Sequence, residues 1–339
     1  MKLTQGKPTR HELFAWIITG VALLLVIKVH LLPALLAGLL VHELVHMLAE
    51  RLRVTRLDDQ RAKLVAVALI SVLIIAAMTL AILGISAFLR SEAGSLPMLM
   101  KKMAEVIESA RPMLPNWAAV YVPTNADALK DTLVQWLREH ASEMPLMGRE
   151  AGRAAAHILI GMVVGALIAL REVAPDITLQ PLAAALMERA RRLADAFRRV
   201  VFAQVRISAL NAIFTWLYLD VALPLMGIHL PLAKTLVAVT FIVGLLPILG
   251  NLISNTVIVI VSLSHSLPVA IGSLMFLIII HKLEYFLNAR IIGSQIRARA
   301  WELLLAMLAM EASLGMAGVI AAPIYYAYLK DELADRGLV

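Results

Sequence analysis

An all-α, polytopic integral membrane fold is the class this sequence predicts, and three observations predict it. Of its 339 residues, 61% are hydrophobic and only 16% charged, against about 45–50% and about 25% in soluble domains. Apolar runs able to cross about 30 Å of hydrocarbon recur along the chain. Basic clusters fall between those runs, as they do in the loops of membrane proteins. We expect about eight membrane segments, some of them broken or re-entrant helices, together with an extramembrane helical insertion.

The elements follow in order. Residues 13–29 form the first apolar run and 31–49 the second, entered through Leu32-Pro33. The link between them is so short that they must make a tight hairpin. Residues 64–89 carry no charge and form the third span, long enough to tilt. Residues 91–150 change character: both charge signs are mixed, and Pro112, Pro115, Pro123 and Pro145 interrupt them. Leu129, Leu133, Trp136 and Leu137 recur there at helical spacing, so this part reads as a small extramembrane helical domain. A fourth span is expected at 154–170, an arginine-rich surface helix at 171–200 and a fifth span at 200–226. Residues 235–280 then hold no Lys, Arg, Asp or Glu. That run is too long for one crossing, and it is split at 246–251 and again at 265–268. Residues 303–329 close the membrane part, broken at Gly315–Gly318 and by Pro323. The chain thus divides into a three-span unit at 1–90, the insertion at 91–150 and a C-terminal unit at 151–339.

Four basic groups fix an orientation: Lys2, Lys7 and Arg10; Arg51, Arg53, Arg56, Arg61 and Lys63; the arginines of 171–199; and Arg290, Arg297 and Arg299. All four fall on one side if 91–150 lies on the other, which places the N-terminus of a multi-pass membrane protein in the cytoplasm. The net charge of +7 is explained by these clusters, so nucleic acid is not an expected partner, whereas membrane lipid is. The absence of cysteine excludes disulfides and thiol chemistry. No phosphate-binding G-x-x-x-x-G-K-[ST] loop is present, and nothing calls for a cofactor.

His42-Glu43-Leu44-Val45-His46 reads H-E-x-x-H, the pattern in which two histidines one helical turn apart hold zinc and the glutamate activates water. An intramembrane zinc protease is therefore one alternative reading, with His42 and His46 as ligands. It needs a third ligand, for which Glu284 and His281 are the candidates. The competing reading is a helix end whose polar side chains reach the interface.

The second half holds more. Gly244-Leu245-Leu246-Pro247-Ile248-Leu249-Gly250-Asn251 interrupts an apolar run, and Asn255 follows one turn later. His281-Lys282-Leu283-Glu284 leads to Arg290-Ile291-Ile292-Gly293. A third stretch runs from Leu314-Gly315-Met316-Ala317-Gly318 through Pro323 to Lys330. A broken helix at membrane depth marks a substrate pathway, and a carboxylate inside a span is rare and usually functional. Asp220, Glu284 and Glu311, with Arg290 beside Glu284, are the ion-coupling candidates.

The order and spacing of these motifs resemble the autoinducer-2 exporter family of bacterial permeases, over nearly the whole chain. Pro247 and Gly250 match its first break. Glu284, Arg290, Ile291 and Gly293 match its second motif, and Gly315, Gly318, Pro323 and Lys330 its third. Ala289 and Asn251 stand where that family often has proline. The resemblance implies a homo-oligomeric transporter, not an enzyme, that exports the quorum-sensing furanone autoinducer-2 or a similar small polar solute. Sodium or proton exchange is the alternative within the same family. Pro247, Gly250, Asn251, Asn255, Gly315, Gly318 and Pro323 would line the pathway.

Overall fold

The computed structural model describes residues 9–53, 58–90, 144–171, 179–246, 249–263, 265–291 and 299–338, with scattered positions between 105 and 141. Most of the expected insertion, including Trp117 and Trp136, lies outside the described residues, as do Pro247 and the side chains of Glu284 and Arg290. The described residues are helical with no strand among them. The helices are α1 (Arg10–Lys28), α2 (Leu32–Arg53), α3 (Asp59–Arg90), α4 (Met144–Leu170), α5 (Pro181–Trp216), α6 (Ala233–Gly244), α7 (Leu249–Leu263), α8 (Leu267–Ile291) and α9 (Ala300–Ala334). After Trp216, α5 continues into a π-helical segment, Leu217–Ala222, and a final α turn, Leu223–Leu225. Among the described residues, six helices are long and apolar enough to cross a membrane, and α6, α7 and α8 contribute shorter apolar stretches. The protein is an all-α polytopic membrane protein.

Each element has a local cause. Thr9 caps α1: its Oγ1 accepts from the Glu12 amide at 3.3 Å, and the Glu12 carboxylate accepts from the Thr9 amide at 2.8 Å, which pairs two of the donors a helix start leaves open. Large apolar side chains of α1, α3 and α4, such as Ile17, Leu73 and Val163, stay exposed, as expected of faces that meet lipid. The boundary expected at residue 200 is not a break. The arginine-rich stretch and the apolar span form one continuous helix, because Val200, Val201 and Phe202 carry the helix on with no Pro or Gly to end it.

The chain divides into two compact units. The first comprises Met1–Ala76, Gly148–Phe202 and Ser294–Val339, and the second Ala77–Met147 and Ala203–Gly293. In the first unit α2 and α4 approach through small residues. A methyl group on Gly161 would overlap the Ala34 carbonyl, and one on Gly165 would overlap the Gly38 carbonyl. Ala34-x-x-x-Gly38 thus faces Gly161-x-x-x-Gly165, the small-residue pattern that lets membrane helices touch backbone to backbone. Val41, Val45, Ala62, Ala66, Ile70 and Ala169 pack beside this crossing.

The helix α9 is not one rod. Gly315 has φ 63° and ψ −151°, a conformation that glycine adopts without a Cβ clash. A methyl on Gly318 would overlap the Met310 carbonyl, although eight residues of straight helix would separate the two by about 12 Å. Glu302 near the start accepts from Tyr326 Oη at 2.8 Å and pairs with Lys330 near the end. The two arms therefore fold back on each other as a hairpin. The first arm, 300–314, reaches about 22 Å, short of the about 30 Å of a bilayer core. Its tip, Met310, Leu314 and Ala317, packs on Ile27 and Leu32 at the α1–α2 turn.

At the other end of this unit lies a buried ion network. Glu332 accepts from Trp16 Nε1 at 3.2 Å and from Arg192 at 3.3 Å, and stands 3.6 Å from Arg189 Nε. Arg189 and Arg336 flank the Trp16 ring at 5.6 and 5.2 Å from its centre. Arg192 also bonds Glu188 and Asp335, both at 2.9 Å, Arg199 pairs with Asp331, and Arg336 with Glu12. Arg189 and Glu332 are only 4% and 6% exposed. This network ties the start of α1, the start of α5 and the end of α9 together.

Two outcomes follow. Gly161→Leu forces α2 and α4 apart and costs at least about 1–3 kcal/mol, whereas Gly20→Leu, with nothing within 4 Å of its added carbon, changes stability by about 0.5 kcal/mol or less. Glu332→Ala leaves Arg189 buried without its counter-charge and costs about 3–5 kcal/mol. Thermal unfolding in detergent, read by retention of a monodisperse size-exclusion peak, ranks the three variants.

Candidate functional site

The second unit is built around the interrupted run that the sequence marked. Helix α6 stops at Gly244 after 12 residues and α7 resumes at Leu249 for 15, arms of about 18 and about 22 Å. The turn between them is closed by Gly250, where a methyl would overlap the Val243 carbonyl and crowd the Gly244 Cα at 2.7 Å. Only a residue without a side chain fits there, which gives the glycine of this motif its physical reason.

A helix that stops in hydrocarbon leaves carbonyls without amide partners. Here α5 supplies the partners. Gln204 Nε2 donates to the Gly244 carbonyl at 2.7 Å, and Ser208 Oγ donates to the Phe241 carbonyl. Asn211 Nδ2 donates to Asn251 Oδ1 at 3.2 Å, just past the turn, and Ser254 Oγ points to the Asn251 carbonyl at 3.4 Å. Ser208 is fully buried, and Asn211, Thr215 and Ser254 nearly so. Gln204, Ser208, Asn211, Thr215 and Tyr218 are spaced 4, 3, 4 and 3 apart, the repeat that keeps one helix face toward its neighbours. They form a polar stripe about 21 Å long.

The stripe ends in a chain of hydroxyls. Tyr218 Oη lies 2.9 Å from Ser273 Oγ, which lies 2.7 Å from Ser262 Oγ, and the Tyr218 ring stacks on Phe276 at 4.0 Å between centres. Around it pack Leu219, Leu223, Leu236, Ile258, Val261, Val269 and Leu277. Tyr218 already belongs to the π-helical segment, whose one extra residue per turn shifts the side chains that follow. Such segments are often found at functional sites. Asp220 lies in it, and its Oδ2 is buried with no hydrogen-bond partner.

The expected site residues sort as follows. Gly250 and Asn251 sit at the α6–α7 turn and Asn255 half-buried one turn on, all in the second unit. Gly315 makes the kink of α9, Gly318 closes it, and Pro323 is buried in the returning arm, all in the first unit. Glu311 is exposed on the outgoing arm. Pro247 and the Glu284 and Arg290 side chains are outside the described residues. Sequence reasoning missed Gln204, Ser208, Asn211, Thr215 and Tyr218. Their 3–4 spacing inside an apolar span was the signal available.

The rings of His42 and His46 lie 4.3 Å apart between centres, tilted 37° to each other, and His46 Nδ1 lies 2.8 Å from the His42 carbonyl oxygen. Glu43 is buried. Its two oxygens stand 3.6 Å from His42 Nδ1 and 3.8 Å from Arg198 of α5, so an arginine shares the carboxylate that a metalloprotease would use as base. Among the described residues no three His, Cys, Asp or Glu side chains stand where they could share a metal ion. Of the expected third ligands, His281 is exposed and the Glu284 side chain is outside the description.

The fold, with two interrupted helical hairpins and a buried polar stripe, is that of an all-α polytopic membrane protein. The model of the AI-2E family transporter matches residues 13–335. No curated protein and no solved structure matches the chain. The matched region contains α2 to α9 whole, with both interrupted hairpins and the polar stripe. The chain belongs to the AI-2E family of transporters.

Proposed function

We propose that this transporter exports a small, neutral, polar solute resembling autoinducer-2 across the bacterial inner membrane. The observation that carries the reading is the polar stripe of α5 seated on the interrupted α6–α7 hairpin. The side chains of the stripe take up the carbonyls that the interruption frees, and they leave amide groups, not charges, at its turn. Neutral hydrogen-bonding groups suit a solute rich in hydroxyls and poor in charge, whose transfer does not require a counter-ion in the path. Asn251 and Asn255, with the backbone at Gly250, contact the solute. Gly315, Gly318 and Pro323 shape the broken hairpin of the first unit, the other candidate element for transport. The basic clusters support a cytoplasmic N-terminus, and membrane lipid surrounds the apolar faces of α1, α3 and α4. The working form is a homo-oligomer.

Cation exchange is the second reading, and Asp220 favours it. A carboxylate oxygen buried without a partner in a π-helical segment is a natural place for a small cation. Glu284 with Arg290, and Glu311, are further candidates for coupling.

Purified protein in liposomes loaded with autoinducer-2 releases it faster than protein-free vesicles, and Asn251→Ala slows release by about tenfold. Release unaffected by Asn251→Ala, together with a sodium-driven proton flux that disappears in Asp220→Asn, assigns the protein to the exchange reading instead.

A further inference from the structure

Asn211 stands apart from the rest of the stripe. Gln204 and Ser208 spend their donors on backbone carbonyls, and Tyr218 engages Ser273. Asn211 is 6% exposed and uses one end of its amide only, the Nδ2 that donates to Asn251 Oδ1. Its Oδ1 is buried and has no partner. An unpaired carbonyl oxygen at such burial is costly, and in native proteins such a group is met by an ordered water or a ligand. The position matters as much as the burial. Through its bond to Asn251 it lies beside the turn where the backbone between α6 and α7 is interrupted.

We infer that Asn211 is a solute-reading residue of the transport path, and that its free amide oxygen selects solutes carrying a neutral hydroxyl. This rests on the polar-solute reading above and names the chemistry that reading leaves open. A hydroxyl both donates and accepts. It can donate to Asn211 Oδ1 and still accept from a neighbouring donor as it passes. An ion would gain little here. The side chains that the stripe presents from Gln204 to Thr215 are neutral, and so are their partners Phe241, Gly244, Asn251 and Ser254. A charged solute would give up its hydration against dipoles alone, which is costly. The bond from Asn211 Nδ2 to Asn251, at 3.2 Å, is at the long end of the normal range, so a solute hydroxyl competes for the amide pair without first breaking a short bond.

The test uses two neutral polyols, erythritol and xylitol, with full-length protein in liposomes. Osmotic reswelling is followed by light scattering, and sodium flux is measured in parallel. Wild type is expected to admit both polyols well above protein-free vesicles. Asn211→Leu, similar in size and without hydrogen-bonding groups, is expected to lose at least about tenfold of that rate, and Asn211→Ser, which restores a hydroxyl, to recover part of it. Polyol flux at the wild-type rate in Asn211→Leu overturns the inference: the oxygen then holds an internal water only, and the permease reading stands. No polyol flux in wild type, with a sodium flux that depends on Asp220, overturns both the inference and the polar-solute reading. If Asn211→Leu fails to give a monodisperse peak, Asn211→Ala decides. It removes the acceptor oxygen without adding bulk, and wild-type polyol flux through it likewise overturns the inference.

Discussion

A backbone carbonyl in hydrocarbon must find a donor, because no water is there to supply one. That constraint governs the second unit. Once α6 stops at Gly244, the carbonyls of Phe241 and Gly244 need partners, and only a neighbouring helix can bring them. The need explains why a membrane helix carries Gln204 and Ser208 at all, each of which is unfavourable against lipid. It also explains why they share a face, and why that face turns inward. The glycine that closes the turn and the polar side chains that serve it are two halves of one solution. Removing either leaves the other without a purpose: Gly250 lets the arms close, and the stripe makes the closed turn tolerable.

Much of this fold was readable beforehand. The apolar runs gave the helices, and the Pro-x-x-Gly and Gly-x-x-Gly motifs gave both interruptions, because glycine and proline act locally and leave a local mark. The stripe of α5 was not read. Its residues are single polar letters separated by apolar ones, and each taken alone is an ordinary Ser, Asn or Thr in a span. Their meaning depends on which helix they face. The same holds for Trp16 and Glu332, which lie 316 positions apart in the chain and one hydrogen bond apart in space. The continuity of α5 across residue 200 was missed for a different reason. The composition changes there from charged to apolar, yet a helix can leave water and enter lipid without ending.

The H-E-x-x-H stretch shows how a short motif is outweighed by its surroundings. The histidines do share a helical face, as the spacing requires. The glutamate between them is turned into the protein, where Arg198 and His42 approach its two oxygens. The stretch thereby joins α2 to α5 electrostatically. Such a contact asks for a buried carboxylate next to two basic groups, and H-E-x-x-H is one of many sequences that supply it.

The fold-back of α9 also decides where its charged end lies. The start of α1 and the end of α9 meet in the same ion network, through Trp16 with Glu332 and Glu12 with Arg336. A hairpin that goes out and returns brings its two ends back together, as Glu302 with Tyr326 and Lys330 shows. Straightening α9 into a single rod would carry its charged end away, where neither Trp16 nor Arg189 could reach it. The closing of this network thus depends on one glycine with a positive φ.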